Sequence, residues 1–419
     1  MTLHLNTNAE PIDIPNFEAM VDPFPHYAEL ATRGPVLYLR SHVGLRYYGV
    51  FDMAIARDML RDQRFSKSAE AMKMALEAQK FDGAAAGFPI SSAAASNLLN
   101  TDPPDHTRLR KLVNLTFSPR RVELLRAQVE SLVAGLIDKL KGKPHFDLVS
   151  EFSYPIGLTM ICDILGVPTA DRAEFRHLAT QAMTPGAPDQ AACRSRLMQY
   201  LHDLVADKRQ KTDPAIAPDD QPDVLSALCA ARLADDALSE EELISMSFLM
   251  LVAGHETTVG LIGNALLLLD RYDDQRRLLL DDEGLLRQTI EEVLRFDGPV
   301  HQTTMRATVE DVDIGGTVIP SGSFVRVFLA ACNRDPQLAE DPNRFDITRK
   351  PTQTMAFGFG PHLCVGSHLA RLEAQVAIKR LLEAFPDYAV AKGDEAIRWA
   401  GTVIRAPAYI AATPTGKGI

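Results

Sequence analysis

The sequence predicts a mainly α fold, with a single helix-rich domain over residues 1–419, a long central helix and small β-sheets. Three observations predict it. Helical periodicity recurs along most of the chain, one apolar stretch at 243–269 is long enough to cross the molecule, and β-prone runs are confined to two short regions. We find no internal repeat and no separating linker, so we expect one large domain where the length alone would suggest two or three.

The central helix has a marked beginning and a buried character. Ser239 and Glu242 have the spacing of a capping box, and a helix of roughly 30 residues from there would extend about 45 Å. Its uncharged runs, Leu243–Gly254 and Thr257–Leu269, are each too short to span a bilayer, and Glu256 lies between them. We therefore expect a core helix and no membrane anchor.

Other elements follow from local patterns. Helical periodicity fits 104–117, 121–142, 150–166, 192–210, 284–296 and 365–385. A hairpin is expected over 35–51, and a second strand region with a Gly-Gly turn over 309–328. Conspicuous loops are expected over 81–96, 183–190 and 211–223.

Composition excludes several classes of protein. The formal charge of -11 argues against a nucleic-acid binder, which needs a basic surface. The first fifteen residues lack a basic region followed by an apolar core, so no signal peptide is expected. The five cysteines contain no C-x-x-C pair, which argues against a disulfide framework or a structural zinc site. These features indicate a cytoplasmic protein.

One cysteine stands in an unusual loop. The stretch FGFGPHLCVG, residues 357–366, has the pattern Phe357-x-x-Gly360-x-x-x-Cys364-x-Gly366. Glycine lets the backbone approach another group closely and present N–H donors to it. Thiolate is a strong ligand, and haem iron accepts a single cysteine as its axial ligand in one class of enzymes. The alternative is a small buried cysteine before a helix.

This stretch resembles the haem-binding signature of the cytochrome P-450 family, and further matches extend from about residue 20 to the end. The matching segments are DPPDHTRLR (102–110), AGHETT (253–258), EEVLR (291–295), NRDP (333–336) and DPNRFDITR (341–349). The chain is similar to the soluble bacterial type, especially to hydroxylases of antibiotic and macrolide pathways. The resemblance implies a cytochrome P-450-type fold.

The resemblance also implies a haem b site. Cys364 would be the axial ligand of the haem iron, in a loop shaped by Phe357, Gly360 and Gly366. The residues expected to contact the two propionates are His106, Arg110, Arg306 and His362, and those expected beside the haem on the central helix are Ala253 and Gly254. The spacing alone places His106 and Arg110 on one helix face, where both could reach one carboxylate. A basic stretch that only faces solvent would have the same spacing.

Glu256 and Thr257 are the expected catalytic pair. A carboxylate and a hydroxyl within an apolar helix are costly unless something uses them. The resemblance makes them a proton relay in O2 cleavage, with Gly254 loosening the helix turn. The alternative is a threonine that donates to a helix carbonyl, with the glutamate paired to a base.

A charge cluster is expected on the cysteine side of the haem. Glu292 and Arg295 are three residues apart, a spacing that is also common on helix surfaces. The resemblance adds Arg344 as a third member, with a structural role.

The resemblance borders the substrate pocket with the 81–99 and 183–190 loops, the 300–304 segment and the central helix. The predicted walls are Phe88, Ile90, Leu98, Leu99, Val252, Val300, His301, Val403 and Ile404. Most are apolar, so we expect a lipophilic small molecule such as a macrolide, another polyketide or a terpenoid.

The favoured function is a monooxygenase that hydroxylates or epoxidises its substrate with one atom of O2. Two alternatives stay open at this point: a haem-thiolate gas sensor and a peroxide-dependent oxygenase. The chain has no flavin or iron–sulfur motif. Electrons from NAD(P)H should therefore arrive through a ferredoxin reductase and a ferredoxin, and we expect the protein to be a monomer. The bases expected to dock the ferredoxin are Arg108, Lys111, Arg120, Arg121 and Arg371.

Overall fold

A computed structural model describes residues 10–17, 20–80, 97–183, 187–231, 236–350, 352–393, 395–399 and 404–415. Its α-helices are α1 (Phe24–Arg33), α2 (Met53–Arg61), α3 (Ala69–Ala78), α4 (Asp105–Asn114), α5 (Pro119–Leu124), α6 (Arg126–Leu140), α7 (Tyr154–Leu165), α8 (Arg172–Met183), α9 (Gln190–Lys211), α10 (Val224–Ala230), α11 (Glu240–Arg271), α12 (Asp273–Asp281), α13 (Leu286–Asp297), α14 (Leu329–Cys332) and α15 (Ser367–Ala384).

The strands are short. They are β1 (Ile12–Asp13), β2 (Val36–Arg40), β3 (Arg46–Val50), β4 (Phe65–Ser66), β5 (Phe146–Asp147), β6 (Arg306–Thr308), β7 (Val312–Ile314), β8 (Thr317–Ile319), β9 (Phe324–Val327), β10 (Ala389–Val390), β11 (Ile397–Trp399) and β12 (Pro407–Thr413). The mainly α fold with a long central helix and small sheets is confirmed.

The larger sheet has six strands in the order β1-β2-β3-β9-β6-β4. The expected hairpin over 35–51 is present as β2 and β3, whose antiparallel register runs from Val36 opposite Val50 to Arg40 opposite Arg46. The region 309–328 forms the β7–β8 hairpin and then β9, which joins the larger sheet parallel to β3. A smaller sheet pairs β12 with β10, β11 and β5.

Helix α11 organises the helical core. It packs against α7, α9, α13 and α15, and most of its apolar residues are buried. The predicted capping box is present: the Ser239 hydroxyl accepts from the Glu242 N–H, and the Glu242 carboxylate accepts from the Ser239 N–H at 2.8 Å. Among the described helices, α11 is long and apolar enough to span a membrane, but its burial against other helices is that of a core helix.

Small residues bring α7 close to the middle of α11. A Cβ atom at Gly254 would lie 2.6 Å from the Ile161 side chain, and one at Gly157 would lie 3.0 Å from the carbonyl oxygen of His255. Helix α11 is continuous through Gly254. In this structure, Gly254 therefore serves close helix packing, and the expected loosening of the turn is not seen.

Most predicted helices are present with shifted ends. The expected helix over 121–142 is two helices, α5 and α6, that meet at Leu125. A π-helical turn, Val149–Ser153, precedes α7 inside the expected 150–166 helix. The predicted 81–96 loop lies outside the described residues.

Candidate functional site

The cysteine loop folds tightly just before α15. The Cys364 N–H donates to the Phe357 carbonyl at 3.0 Å, and the Gly358 N–H donates to the Met355 carbonyl at 2.8 Å. Gly358 and Gly360 have φ angles of 76° and 72°, a left-handed conformation that favours glycine. These constraints place Cys364 three residues before the first residue of α15.

The Cys364 thiol is desolvated by its surroundings, yet part of its side chain is exposed. Burial raises the pKa of the thiol, and backbone N–H groups of Gly366 and Ser367 together with Arg110 and Arg371 oppose that rise. These N–H groups lie at the N-cap and the first residue of α15, where the helix dipole favours negative charge. The surroundings therefore combine low polarity with donors aimed at sulfur, as a thiolate ligand requires.

Two histidines lie against each other beside this loop. The rings of His106 on α4 and His362 have centroids 4.2 Å apart. The buried Nε2 of His106 and Nδ1 of His362 have no hydrogen-bond partner among the described residues. Burial lowers the pKa of His106, and burial with Arg306, His106 and Lys67 nearby lowers the pKa of His362 to about 2.

Three longer bases, Lys67, Arg110 and Arg306, lie beside the two histidines. We call the five residues the base cluster: Lys67, His106, Arg110, Arg306 and His362. Arg110 donates to the Leu363 carbonyl at 2.5 Å, and Arg306 donates to the Phe65 carbonyl at 3.2 Å. Lys67 follows β4 and donates to Thr304 and to the Met305 carbonyl.

Lys67 was not among the sequence predictions. A single lysine in the segment RFSKS looks like a solvated residue, and its burial depends on β4 pairing with β6, about 240 residues away.

The base cluster lacks matching carboxylates. Among the described residues, none of its five members forms an ion pair, and burial lowers the pKa of Arg306 to about 10. Buried cations without anions are costly. Haem carries one iron and two carboxylates, so one thiol with N–H donors and a neighbouring set of unmatched bases fit its chemistry.

The expected catalytic pair lies at the middle of α11. The Thr257 hydroxyl donates to the Ala253 carbonyl at 2.7 Å, and Ala253 is exposed although its helix is largely buried. Burial raises the pKa of Glu256, whose carboxyl group has no hydrogen bond or ion pair within the described part of the chain. The structural alternative expected Thr257 to donate to a helix carbonyl and Glu256 to pair with a base. The first contact is present. The second is absent among the described residues.

The charge cluster is real, but its third member differs from the prediction. Arg295 binds both carboxylate oxygens of Glu292 at 2.7 and 2.8 Å, and both side chains are buried. The third charged member is Arg349, which lies 3.4 Å from Glu292 and is 13% exposed. Arg344 is 62% exposed and pairs with Asp346; it contributes only its carbonyl, to Arg295 and Arg349. The prediction of Arg344 as a charged member is therefore wrong.

The proposed pocket walls divide into three groups. Phe88, Ile90 and Val403 lie outside the described residues. The side chains of Leu98, Leu99, Val252, Val300 and Ile404 are buried or partly buried. The His301 side chain is fully buried, with Nδ1 bonded to Tyr27 and Nε2 to Asp297, so the structure places it in a core network instead of on a pocket wall.

Most of the bases that were expected to dock the ferredoxin already form ion pairs or hydrogen bonds within the protein. Arg108 pairs with Asp236 and Glu242, Arg120 pairs with Asp220, and Arg371 pairs with Glu291. Arg121 is buried and donates to backbone carbonyls. Lys111 is exposed and forms no ion pair among the described residues. Sequence could not reveal these pairs because the acidic partners come from distant segments.

Comparisons with known proteins identify the family of this chain. A family model described as Cytochrome P450 matches residues 175–395. Cytochrome P450 107B1 of Saccharopolyspora erythraea is 42% identical over 94% of this chain and 96% of its own length. Vitamin D(3) 25-hydroxylase of Pseudonocardia autotrophica is 40% identical over 92% of each chain. Among solved structures, the ligand-free P450 monooxygenase TamI aligns with a TM-score of 0.86 and 36% identity, over 97% of this chain and 95% of that one.

Proposed function

This chain belongs to the cytochrome P450 family, and from that premise we propose that it hydroxylates or epoxidises a lipophilic small molecule with electrons supplied by a ferredoxin and its reductase. Its class is established: it is a monooxygenase that uses haem b and O2, and NAD(P)H acts through redox partners. The roles of individual residues, the substrate and the electron donor belong to the proposal. The observation that carries it is the Cys364 thiol beside the base cluster.

We assign haem binding to two parts of the site. Cys364 would ligate the iron, and His106, Arg110, Arg306 and His362 would bind the propionates. When bound, the haem supplies O2 activation, which a thiolate ligand favours by donating electron density. The Gly366 and Ser367 N–H groups stabilise negative charge on the cysteine sulfur.

Thr257 would position a proton donor. Its hydroxyl hydrogen is committed to the Ala253 carbonyl, which leaves the lone pairs of Oγ1 free to accept a hydrogen bond. An ordered water or a substrate hydroxyl that donates to Oγ1 would then be held in one orientation. Orientation of this kind directs where a proton is delivered.

Glu256 would supply the protons. Because burial raises its pKa, its carboxyl group is closer to the protonated state at neutral pH than an ordinary glutamate is. Its proton is not engaged by a base among the described residues. A carboxyl group in this condition can donate a proton inward and recover one from solvent.

The described pocket walls support an apolar substrate. Leu98, Leu99, Val252, Val300 and Ile404 carry no polar side-chain group, so they would exclude water and favour hydrocarbon surface. One relative is named as a hydroxylase of vitamin D(3), a lipophilic compound. We propose a macrolide, another polyketide or a terpenoid as the class to test first.

For electron delivery, we propose that the ferredoxin contacts Lys111 on α4. The adjacent residue Arg110 donates to the Leu363 carbonyl next to Cys364, so a docked partner would be close to the thiolate. Lys111→Glu should slow reduction, most strongly at low salt, because charge reversal weakens attraction to an acidic partner. The matched control is Lys73→Glu on α3; equal reduction rates in both variants would remove Lys111 from the docking site.

The function is tested in two stages. Candidate lipophilic compounds are first screened for the change in iron spin state that accompanies displacement of iron-bound water. Compounds that bind are then incubated with NAD(P)H, ferredoxin, reductase and isotopically labelled O2. We expect a product carrying one labelled oxygen atom. Product formation that needs only peroxide, or haem reduction with no oxygenated product from any binder, would contradict the proposal.

A further inference from the structure

We infer that Lys67 is an additional cofactor-binding residue, whose ammonium group donates a hydrogen bond to a haem carboxylate. This inference rests on the haem site proposed above and adds a residue to it. It is carried by the position of Lys67 directly after β4, by its contacts and by its charged neighbours.

Lys67 directly follows β4, next to Arg306 on the neighbouring strand β6. In the antiparallel β4–β6 pair, Phe65 lies opposite Thr308 and Ser66 opposite Ala307, and the Arg306 guanidinium donates to the Phe65 carbonyl at 3.2 Å. Arg306 is close enough to Lys67 to lower the pKa of its ammonium group. Like charges buried near each other are destabilising unless an anion lies between or beside them.

The side-chain contacts of Lys67 leave one donor available. Its Nζ donates to the Thr304 hydroxyl and, at 3.2 Å, to the Met305 carbonyl. An ammonium group has three N–H bonds, so one remains for a further acceptor. Lys67 is only 4% exposed and Arg306 only 6%, which makes bulk water a poor source of that acceptor.

The nearest acidic group does not fill this place. The Asp102 carboxylate accepts hydrogen bonds from the backbone N–H groups of Lys67 and Ser68 and from the Ser66 hydroxyl. It is therefore committed to the chain around Lys67 and forms no hydrogen bond with Nζ. Within the described residues, no other carboxylate pairs with Lys67 or Arg306.

The electrostatics of the surroundings agree with a missing anion. Burial lowers the pKa of Lys67 to about 7, helped by Arg306 on β6 and Arg326 on β9, while Asp102 raises it. A carboxylate placed among these bases would relieve the repulsion and restore the charge on Lys67.

The test replaces the charge and follows haem retention. Lys67→Met keeps an unbranched chain without charge, and exposed Lys73→Met on α3 is the control. Haem transfer from each purified holoprotein to excess apomyoglobin is followed in the Soret band. We expect Lys67→Met to lose haem about tenfold faster than wild type, the size of one charge-assisted hydrogen bond, and Lys73→Met to match wild type.

A second variant and a second porphyrin separate charge from fold support. Lys67→Gln can still donate to Thr304 and Met305 but carries no charge, so it should also lose haem faster. Apoproteins reconstituted with the dimethyl ester of haem lack the carboxylates, and the difference between wild type and Lys67→Met should then disappear. Unchanged haem loss in both variants, full rescue by glutamine, or an equal difference with the ester would each overturn the inference.

The outcome also distinguishes this inference from the proposed function. If wild type binds haem through thiolate and the Lys67 variants behave like it, only the role of Lys67 is rejected. If wild type binds no haem, both are rejected.

Discussion

At the scale of single residues, Thr257 makes a structural contact that is compatible with the role proposed for it. Its hydroxyl donates to the Ala253 carbonyl, as threonines in many helices do, and still offers lone pairs to a donor. Thr258 makes the corresponding contact with the Gly254 carbonyl at 3.1 Å but is buried. The two neighbours therefore differ in accessibility more than in local bonding.

Thr257→Ala should uncouple electron use from oxygenation. Without Oγ1 the proton-donating group is no longer oriented, so reducing equivalents should end as hydrogen peroxide, while haem and substrate binding persist. Product formed per NAD(P)H consumed is measured with peroxide in parallel. Thr257→Ser should restore coupling, and Thr258→Ala should keep it; wild-type coupling in Thr257→Ala would exclude the assigned role.

Glu256→Gln should change stability with a definite pH dependence. Burial raises the folded-state pKa of Glu256, so the proton contributes stability that is complete below the unfolded pKa and is lost as pH rises through the folded pKa. Glutamine does not titrate. As the pH rises from the unfolded-state pKa of Glu256 through its higher folded-state pKa, the free energy of unfolding of the variant should therefore rise relative to that of wild type. Denaturant titrations at several pH values measure this difference, and a pH-independent difference would indicate that Glu256 is solvated.

The candidate site residues that the sequence could indicate are those that lie in a recognisable sequence pattern. Cys364, His106 and Arg110 could be selected because their spacing restricts what they can do together. Lys67 and Arg349 could not, since each makes contacts with partners more than 50 residues away. The pairing of Arg344 was mispredicted for the same reason: Arg344 and Arg349 are both adjacent to the cluster, and only the tertiary structure decides which side chain turns inward.

At the scale of elements, the cysteine loop depends on glycine for two separate reasons. Gly360 has a φ of 72°, and a Cβ atom there would lie 2.8 Å from the carbonyl oxygen of Leu60 at the end of α2. Gly316, in the β7–β8 turn, has a φ of 78°, and a Cβ atom there would meet no described atom within 4 Å. Comparing alanine substitutions at Gly360 and Gly316 therefore separates the cost of the left-handed backbone from the cost of steric contact with α2.

Gly360→Ala should destabilise the protein more than Gly316→Ala. The Gly316 variant has only the left-handed backbone cost, about 1 kcal/mol, whereas the Gly360 variant must also move α2 away from the loop, for a total of about 2–4 kcal/mol. Denaturant unfolding of the holoproteins gives both values. Equal losses would show that the loop and α2 shift apart without cost.

Elements were predictable where the pattern was local and long. The capping box, the period of α11 and the 35–51 hairpin depend on neighbouring residues, and all three are present. The smaller sheet was missed because its strands are two to seven residues long and pair across distant parts of the chain. Helices such as α2 and α12 were missed because they are short. The helical periodicity of so few residues is a weaker signal than the turn-forming residues around it.

At the scale of the whole molecule, a charge cluster connects α13 to the segment that leads into the cysteine loop. Arg295 donates to the carbonyls of Asn333 and Pro342, and the Asn333 side chain accepts from the Met355 N–H at 2.7 Å. The Met355 carbonyl in turn accepts from Gly358 in the loop. Stability of the haem site should therefore depend on charges well outside it.

Arg349→Ala and Arg344→Ala provide a matched comparison of this connection. Arg349 contacts Glu292 and three backbone carbonyls, so its loss should cost about 2–4 kcal/mol. Among the residues that the structure describes, the exposed Arg344 side chain pairs with Asp346 alone, at 3.6 Å, so its removal should change the free energy of unfolding by less than about 0.5 kcal/mol. A larger loss in Arg344→Ala would restore the original prediction.

The most direct test of the central claim is the spectrum of the reduced carbon monoxide complex, because it reports thiolate ligation of haem iron. Wild type should show the red-shifted Soret band, and Cys364→Ala should lose it. Replacement of Cys162, Cys193, Cys229 or Cys332 by alanine should leave the band in place, since all four are buried and none of them lies in the glycine loop. Retention of the band in Cys364→Ala, with its loss in one of the other four variants, would contradict the assignment.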